Sequence, residues 1–327
     1  MKIRGFAAVV ALAGCLLPAC ADTTDGGWSF ETPEDVAASP GTWRPVDPER
    51  LFIFQTNKGR VLIEAFPDVA PNHFAHFTSV TRSGDYDGTS FHRVIDDFMA
   101  QGGDIQALKG RPSAEPDVKG EFTFRRDVTK MPLQATIGPE DSAKHGYFNG
   151  FPIQTQPSFF AEMSVDGLVE SHIPHCASVV STARTSDPDS ANGQFFLMRG
   201  YSAHLDRLYT SWGRVIGGQD VVLSLKSGSP QNNGSVTNPD ILTSAKIAAD
   251  LPEAERPRAY VLRTDSEAFK TALEAKGEPN ICDLAPVPAI IIDPAGTGAE
   301  APEADDEAAD DAAPESAPES NSETTGE

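Results

Sequence analysis

TSFHRVIDDFMAQGGD, residues 89–104, is the stretch on which the reading of the whole chain turns. It sets one cation, Arg93, among Phe91, Val94, Ile95, Phe98 and Met99, adds the amide of Gln101 and closes on Gly102-Gly103. That composition suits a strand, a tight bend at Asp96-Asp97 and a second strand, together lining a shallow pocket. Period-2 alternation puts Phe91, Arg93 and Ile95 on one face and His92 and Val94 on the other. A lone strand arginine is ordinarily a surface or salt-bridged residue, since Arg is rarely buried unpaired. Only support from elsewhere in the chain turns it into a functional candidate.

Upstream, LFIFQT (51–56) and RVLIEAF (60–66) flank Asn57-Lys58-Gly59, a hairpin signal whose glycine can take the positive φ that the turn needs. Ala70-Pro71 then opens a helix that stops near Gly84, with Phe74, Phe77 and Val80 on its core face. Downstream lie ARTSDPDSANGQFFLM (183–198), HLDRLYTSWG (204–213) and GQDVVLSL (218–225), the last a short helix with Val221, Val222 and Leu225 inward.

Segments 89–104, 183–198 and 204–213 together resemble the cyclophilins, peptidyl-prolyl cis/trans isomerases with the signatures FHR-x-I-x-x-FM-x-QGGD, a later QFF, and LD-x-x-Y/H-x-x-FG. TNKGRVLIEAFPDVAPNHFAHF (56–77) resembles the first hairpin and helix of that family, so four blocks stand in order across residues 51–226. The resemblance implies a mainly β fold, a closed eight-stranded antiparallel barrel capped by two helices. It also implies catalysis by Arg93, Gln101 and Phe98. Phe98, Met99, Phe196 and Leu205 would hold the proline ring, Gln101 would contact the rotating carbonyl, and Ala183 and Gln194 would bind the residues before proline. Phe195 should face the opposite way from Phe196, into the barrel, and His92 reads as core.

An X-Pro amide twists past a barrier of about 18–20 kcal/mol, and bringing this to milliseconds needs roughly 7 kcal/mol of stabilisation. Twisting localises the lone pair of the prolyl nitrogen, which can then accept a hydrogen bond. An always-charged guanidinium suits that role, and no proton transfer, general base, metal or cofactor is called for. Five positions depart from the family pattern. Asp96-Asp97 stands for Pro-Gly, His204 for the frequent Trp, Tyr209 for His in some members and Arg184 for Asn. The smaller, polar ring of His204 predicts weak cyclosporin binding, and Arg184 a preference for acidic residues near proline.

The chain ends frame this domain. Lys2, Arg4 and an apolar run from Phe6 to Leu17 mark residues 1–21 as a signal peptide, so the protein is expected in the periplasm. Leu12-Ala13-Gly14-Cys15 resembles a lipobox that would acylate Cys15 and anchor the chain to a membrane; Ala19-Cys20-Ala21 offers ordinary cleavage, and both routes stay open. Residues 22–47 read as a flexible tether, 48–229 as the isomerase domain with an insertion near 105–175, 230–283 as a small α/β C-terminal extension and 284–327 as a disordered tail. The insertion looks like a hairpin followed by long loops, which either extend the substrate groove or elaborate the surface. Eleven acidic residues and no Lys or Arg between Gly296 and Glu327 supply half of the net charge of −22, which argues against nucleic-acid partners. His172, His175 and Cys176 invite a metal reading, but no second ligand pair follows; Cys176 and Cys282 could instead form a disulfide.

The partners implied are proline-containing unfolded or exported polypeptides, which the protein would help to fold. The reading set against catalysis is a proline-segment-binding chaperone or scaffold on the same fold; Arg93 discriminates, since binding alone does not need it.

Overall fold

The computed structural model describes residues 33–294. The expected signal peptide with Cys15, the beginning of the expected tether and the acidic tail from Ala295 lie outside the described residues. In chain order the elements are α1 (Pro33–Ala38), β1 (Trp43–Pro45), β2 (Leu51–Thr56), β3 (Gly59–Ala65), α2 (Pro71–Arg82), β4 (Thr89–Ser90), β5 (Arg93–Ile95) and β6 (Met99–Gly102). There follow α3 (Ile105–Lys109), β7 (Phe124–Arg126), β8 (Ala135–Ile137), β9 (His145–Phe148), β10 (Phe151–Thr155), α4 (Phe160–Met163), β11 (Val169–His172), β12 (Val179–Thr182) and β13 (Phe195–Met198). The last are β14 (Ser211–Gly217), α5 (Gln219–Ser224), β15 (Ile241–Ile247), β16 (Arg258–Leu262), α6 (Glu267–Glu274) and β17 (Ala289–Ile292).

Nine strands make the main antiparallel sheet, in the order β4-β15-β2-β3-β14-β12-β13-β6-β5. Its two end strands, β4 and β5, are separated in the chain by Phe91 and His92 alone, so the sheet curls until both edges belong to one stretch. Residues 234–240 close the seam: Phe91 N donates to Asp240 O at 2.9 Å, Val94 N to Gly234 O at 2.9 Å and Val236 N to His92 O at 3.0 Å. The mainly β class stands, with nine strands in place of eight because 89–95 is broken in two. That break also corrects the expected alternation. Phe91 is buried against Phe195, whereas Arg93 and Ile95 are half-buried on the other side, so the period restarts after His92.

Aromatic rings fill the interior. Phe77 of α2 stacks on Trp212 at 4.4 Å, Phe54 lies 5.2 Å from Phe195, and Tyr86 donates its hydroxyl to Gly193 O. Gly103 explains the glycine pair that ends the opening stretch: at φ +76 a Cβ there would meet Gly193 O at 2.7 Å and Phe195 at 2.8 Å. α2 also buries His73 and His76, which its apolar pattern did not announce. His73 Nδ1 contacts Glu121 Oε2 at 2.7 Å and His76 Nε2 contacts Asn192 O at 3.2 Å, tying the helix to distant loops.

Four expectations about the outer segments are corrected. The insertion is a second antiparallel sheet, β7-β11-β10-β9-β8, in place of a hairpin and loops; its strands are too short and too interrupted by Gly and Pro to show a period. Residues 33–47 of the expected tether are α1 and β1, because β1 pairs with β16, some 215 residues on in sequence. The extension begins after β15 and not at Pro230, since β15 sits inside the main sheet between β4 and β2. Residues 284–294 of the expected tail bury Leu284 and Val287 and pair β17 with β16. Cys176 and Cys282 form a disulfide with Cα atoms 5.2 Å apart, joining the extension to the loop before β12. α6 is capped by Ser266, whose side chain accepts from Phe269 N.

Candidate active site

Strand register builds the centre of the site. Arg93 on β5 stands opposite Gln101 on β6, Gln101 opposite Phe196 on β13, and Phe196 opposite Ser181 on β12. Alternation then puts Arg93, Met99, Gln101 and Phe196 on one face of the sheet and Phe195 and Leu197 on the other, inside the barrel. The turn after β5 adds Phe98, and the segment before β14 adds His204, Leu205, Leu208 and Tyr209. These residues, with Ala183 and Arg184 after β12, line a cleft of about 480 Å³.

Arg93 is held from three sides. Nε donates to Asn233 O at 2.9 Å, Nη2 to Asn233 Oδ1 at 3.0 Å and Nη1 to Gln101 Oε1 at 3.3 Å. Gln101 in turn donates Nε2 to Gln194 Oε1 at 2.8 Å, which fixes the orientation of its amide. Burial draws the pKa of Arg93 below its ordinary value, opposed by Tyr209, yet a guanidinium stays charged at neutral pH. Three of its five N–H donors go to oxygen acceptors and Nη1 also contacts Met99 Sδ at 3.9 Å, a weak acceptor that a ligand in the cleft can displace. The apolar walls are Phe98, Met99, Phe196 and Leu205; His204 leans on Phe98 with ring centroids 5.5 Å apart.

Behind the wall lies a pair that the sequence did not announce, His175 having drawn notice only with His172 and Cys176 as a weak metal reading. His175, fully buried, stacks beneath Phe196 at 6.0 Å, and its Nδ1 contacts Asp206 Oδ1 at 2.9 Å. Asp206 also accepts from His175 N at 2.8 Å, so one carboxylate pins the segment carrying His204, Leu205 and Tyr209 to the loop before β12.

All eleven residues expected at the site come together, but on two adjoining clefts. Gln194 lies on a second cleft of about 260 Å³ that shares Gln101, Ala183 and Arg184 with the first and adds Gln106, Ser113, Thr185 and Asn192 among others. Pro112 and Ser113 belong to the insertion, so its opening residues do reach the groove while its sheet does not line it. Asn233 was missed: 140 residues from Arg93, it stands in an Asn-Asn-Gly turn that reads as a loop signal and nothing more.

A sequence model of the family described as cyclophilin type peptidyl-prolyl cis-trans isomerase matches residues 51–247. A Brucella abortus protein described as a probable peptidyl-prolyl cis-trans isomerase is 34% identical over 204 residues, 62% of this chain and 85% of its own. A peptidyl-prolyl cis-trans isomerase from Streptomyces antibioticus, cyp18, is 31% identical over 204 residues, 59% of this chain and 95% of its own. The crystal structure of the cyclophilin AquaCyp293 from Hirschia baltica is 47% identical, with a TM-score of 0.77 over 81% of this chain and 99% of that one. That shared part exceeds the span of the family model, so likeness to the Hirschia protein reaches beyond the minimal domain.

Proposed function

The chain belongs to the cyclophilin-type peptidyl-prolyl cis-trans isomerases, and from that premise we propose that Arg93 drives its reaction by donating to the prolyl nitrogen of a twisted X-Pro bond. The observation that carries this is the placement of Arg93: pre-oriented by Asn233 and Gln101, partly desolvated, and beside an apolar cleft able to hold a proline ring. A planar amide nitrogen is a poor acceptor, so this donor gains its partner only as the bond rotates. Stabilisation confined to the transition state raises turnover, whereas equal binding of planar and twisted forms does not. Phe98, Met99, Phe196 and Leu205 fix the ring while the Gln101 amide meets the carbonyl that swings past it. No atom is transferred.

The substrates are proline-containing segments of unfolded polypeptides. The basic start and apolar run of residues 1–21 support a role in the folding of exported proteins in the periplasm, with a lipid on Cys15 as the means of holding the enzyme at a membrane.

Two-dimensional NMR exchange on an Ala-Pro peptide tests the reaction. The parent accelerates exchange and Arg93→Ala slows it by about a hundredfold or more, some 2.7 kcal/mol of transition-state stabilisation. Peptide shifts that titrate without any acceleration would instead make the protein a proline-binding chaperone. His204, an exposed imidazole at the rim of the cleft, supports weak cyclosporin binding. Inhibition at micromolar cyclosporin or above is expected, and nanomolar inhibition would refute it.

A further inference from the structure

Arg184 borders both clefts. Its guanidinium lies over two rings, with Cζ 4.6 Å from the centroid of Tyr209 and 5.4 Å from that of Phe122. Nε and Nη2 donate to Leu208 O at 3.0 and 2.8 Å, and Nη1 donates to Thr185 O at 2.8 Å. These bonds spend three of its five N–H donors on neutral carbonyls. Two donors and the whole charge remain.

The surroundings leave that charge uncompensated. Among the described residues neither Arg184 nor Arg93 pairs with a carboxylate, whereas Arg44, Arg82, Arg111, Arg125 and Arg214 all do. Two acids that follow Arg184 in the chain, and the one on the second cleft, are committed to backbone amides. Asp189 accepts from Gly120 N, Asp187 from Asp189 N, and Asp104, on the second cleft, caps α3 through Ala107 N. The first cleft carries two guanidinium groups and no Asp or Glu at all. In a chain of net charge −22 the groove is thus a local reversal of sign. Phe122, at the entrance to the second sheet, contributes one of the two rings, so the insertion acts on the groove through this arginine.

We infer that Arg184 is a specificity-determining residue that selects polypeptides with an acidic side chain in the two positions before proline. The inference rests on the isomerase reading, with the proline ring in the first cleft and the chain continuing over Gln101 and Ala183 toward the second. One residue of extended chain spans about 3.3–3.6 Å, so the shared rim faces the residues nearest the ring. A cation already lying over two rings and held by three hydrogen bonds loses little freedom when it meets a carboxylate, which favours a usable preference.

The test uses the full chain and peptides of the form Ala-Xaa-Ala-Pro-Phe and Ala-Ala-Xaa-Pro-Phe, with Xaa as Glu, Gln or Lys, followed by NMR exchange. In at least one position the Glu peptide is turned over with a kcat/KM about three- to tenfold above that of the Lys peptide at low salt, with Gln between them. The gap shrinks as salt is raised, because an exposed pair is screened, and it collapses in Arg184→Gln. Equal rates for Glu and Lys peptides overturn the inference and leave the isomerase reading standing. Failure to accelerate any peptide, Gln included, removes the isomerase reading and this inference with it. A Glu preference that survives in Arg184→Gln overturns the assignment to Arg184; should that variant not fold, Arg184→Met carries the same comparison.

Discussion

Two arginines of the same barrel are treated in opposite ways. Arg214 on β14 is fully buried, and Glu64 on β3 meets it at 2.8 Å while also accepting from Arg44 of β1. Arg44 reaches Asn149 O of the second sheet as well, and the Arg214 guanidinium lies 4.9 Å over the Phe151 ring. Burial pulls Arg214 down to about 10, but Glu64 keeps it charged at neutral pH. One carboxylate therefore staples three regions: the N-terminal strand, the barrel and the insertion. Arg93 is only half-buried, has no carboxylate and is held by neutral amides and a carbonyl. A neutralised cation serves structure, whereas one held by neutral groups keeps its charge available to a ligand.

The sharpest way to break this contrast is at Glu64. Glu64→Ala leaves Arg214 buried without its counter-charge and is expected to cost about 3–5 kcal/mol of stability, read from denaturant unfolding. The fraction that stays folded should keep its kcat/KM, since β3 stands three strands from β13 in the sheet and Glu64 is not among the residues lining the cleft. A loss below about 1 kcal/mol would dissolve the distinction between the two arginines. Arg93→Ala is the mirror case: the hundredfold loss of turnover should come with less than about 1 kcal/mol of destabilisation, because no ion pair is broken. A large drop in stability would move Arg93 to the structural side.

The smallest effect concerns pH, at a side chain between these extremes. Burial lowers the pKa of His76, although its contact with Asn192 O and the carboxylates of Glu115 and Asp117 oppose this. The unfolded chain binds a proton near pH 6.5 before the folded chain does, so the stability linked to His76 is complete above 6.5 and is lost as pH falls through that value toward the lower folded pKa. Melting temperatures taken from pH 7 to pH 5 should fall more steeply in the parent than in His76→Gln. Parallel curves would show that His76 carries none of the acid sensitivity.

The candidate site was legible because its parts are local. Arg93, Phe98, Met99 and Gln101 lie within nine residues, and Gln194 with Phe196 or Leu205 with Tyr209 within five, so side-chain spacing survives in the one-dimensional chain. Barrel and hairpin were legible for the same reason. The second sheet was not, because strands of three to five residues fall below the length at which alternation separates from loop composition. β1, β15 and β17 were misassigned because each gains its hydrogen bonds from a partner remote in sequence.

By itself the sequence determined the family and the side chains that line the cleft beside Arg93. Only the tertiary structure decided that Asn233 orients Arg93, that Asp206 pins the cleft wall through His175, that Glu64 joins three regions, and that Arg184 lies over Phe122 and Tyr209 at the groove. Composition and spacing report what a residue carries; whether its charge is neutralised depends on which group folding brings within about 3 Å of it.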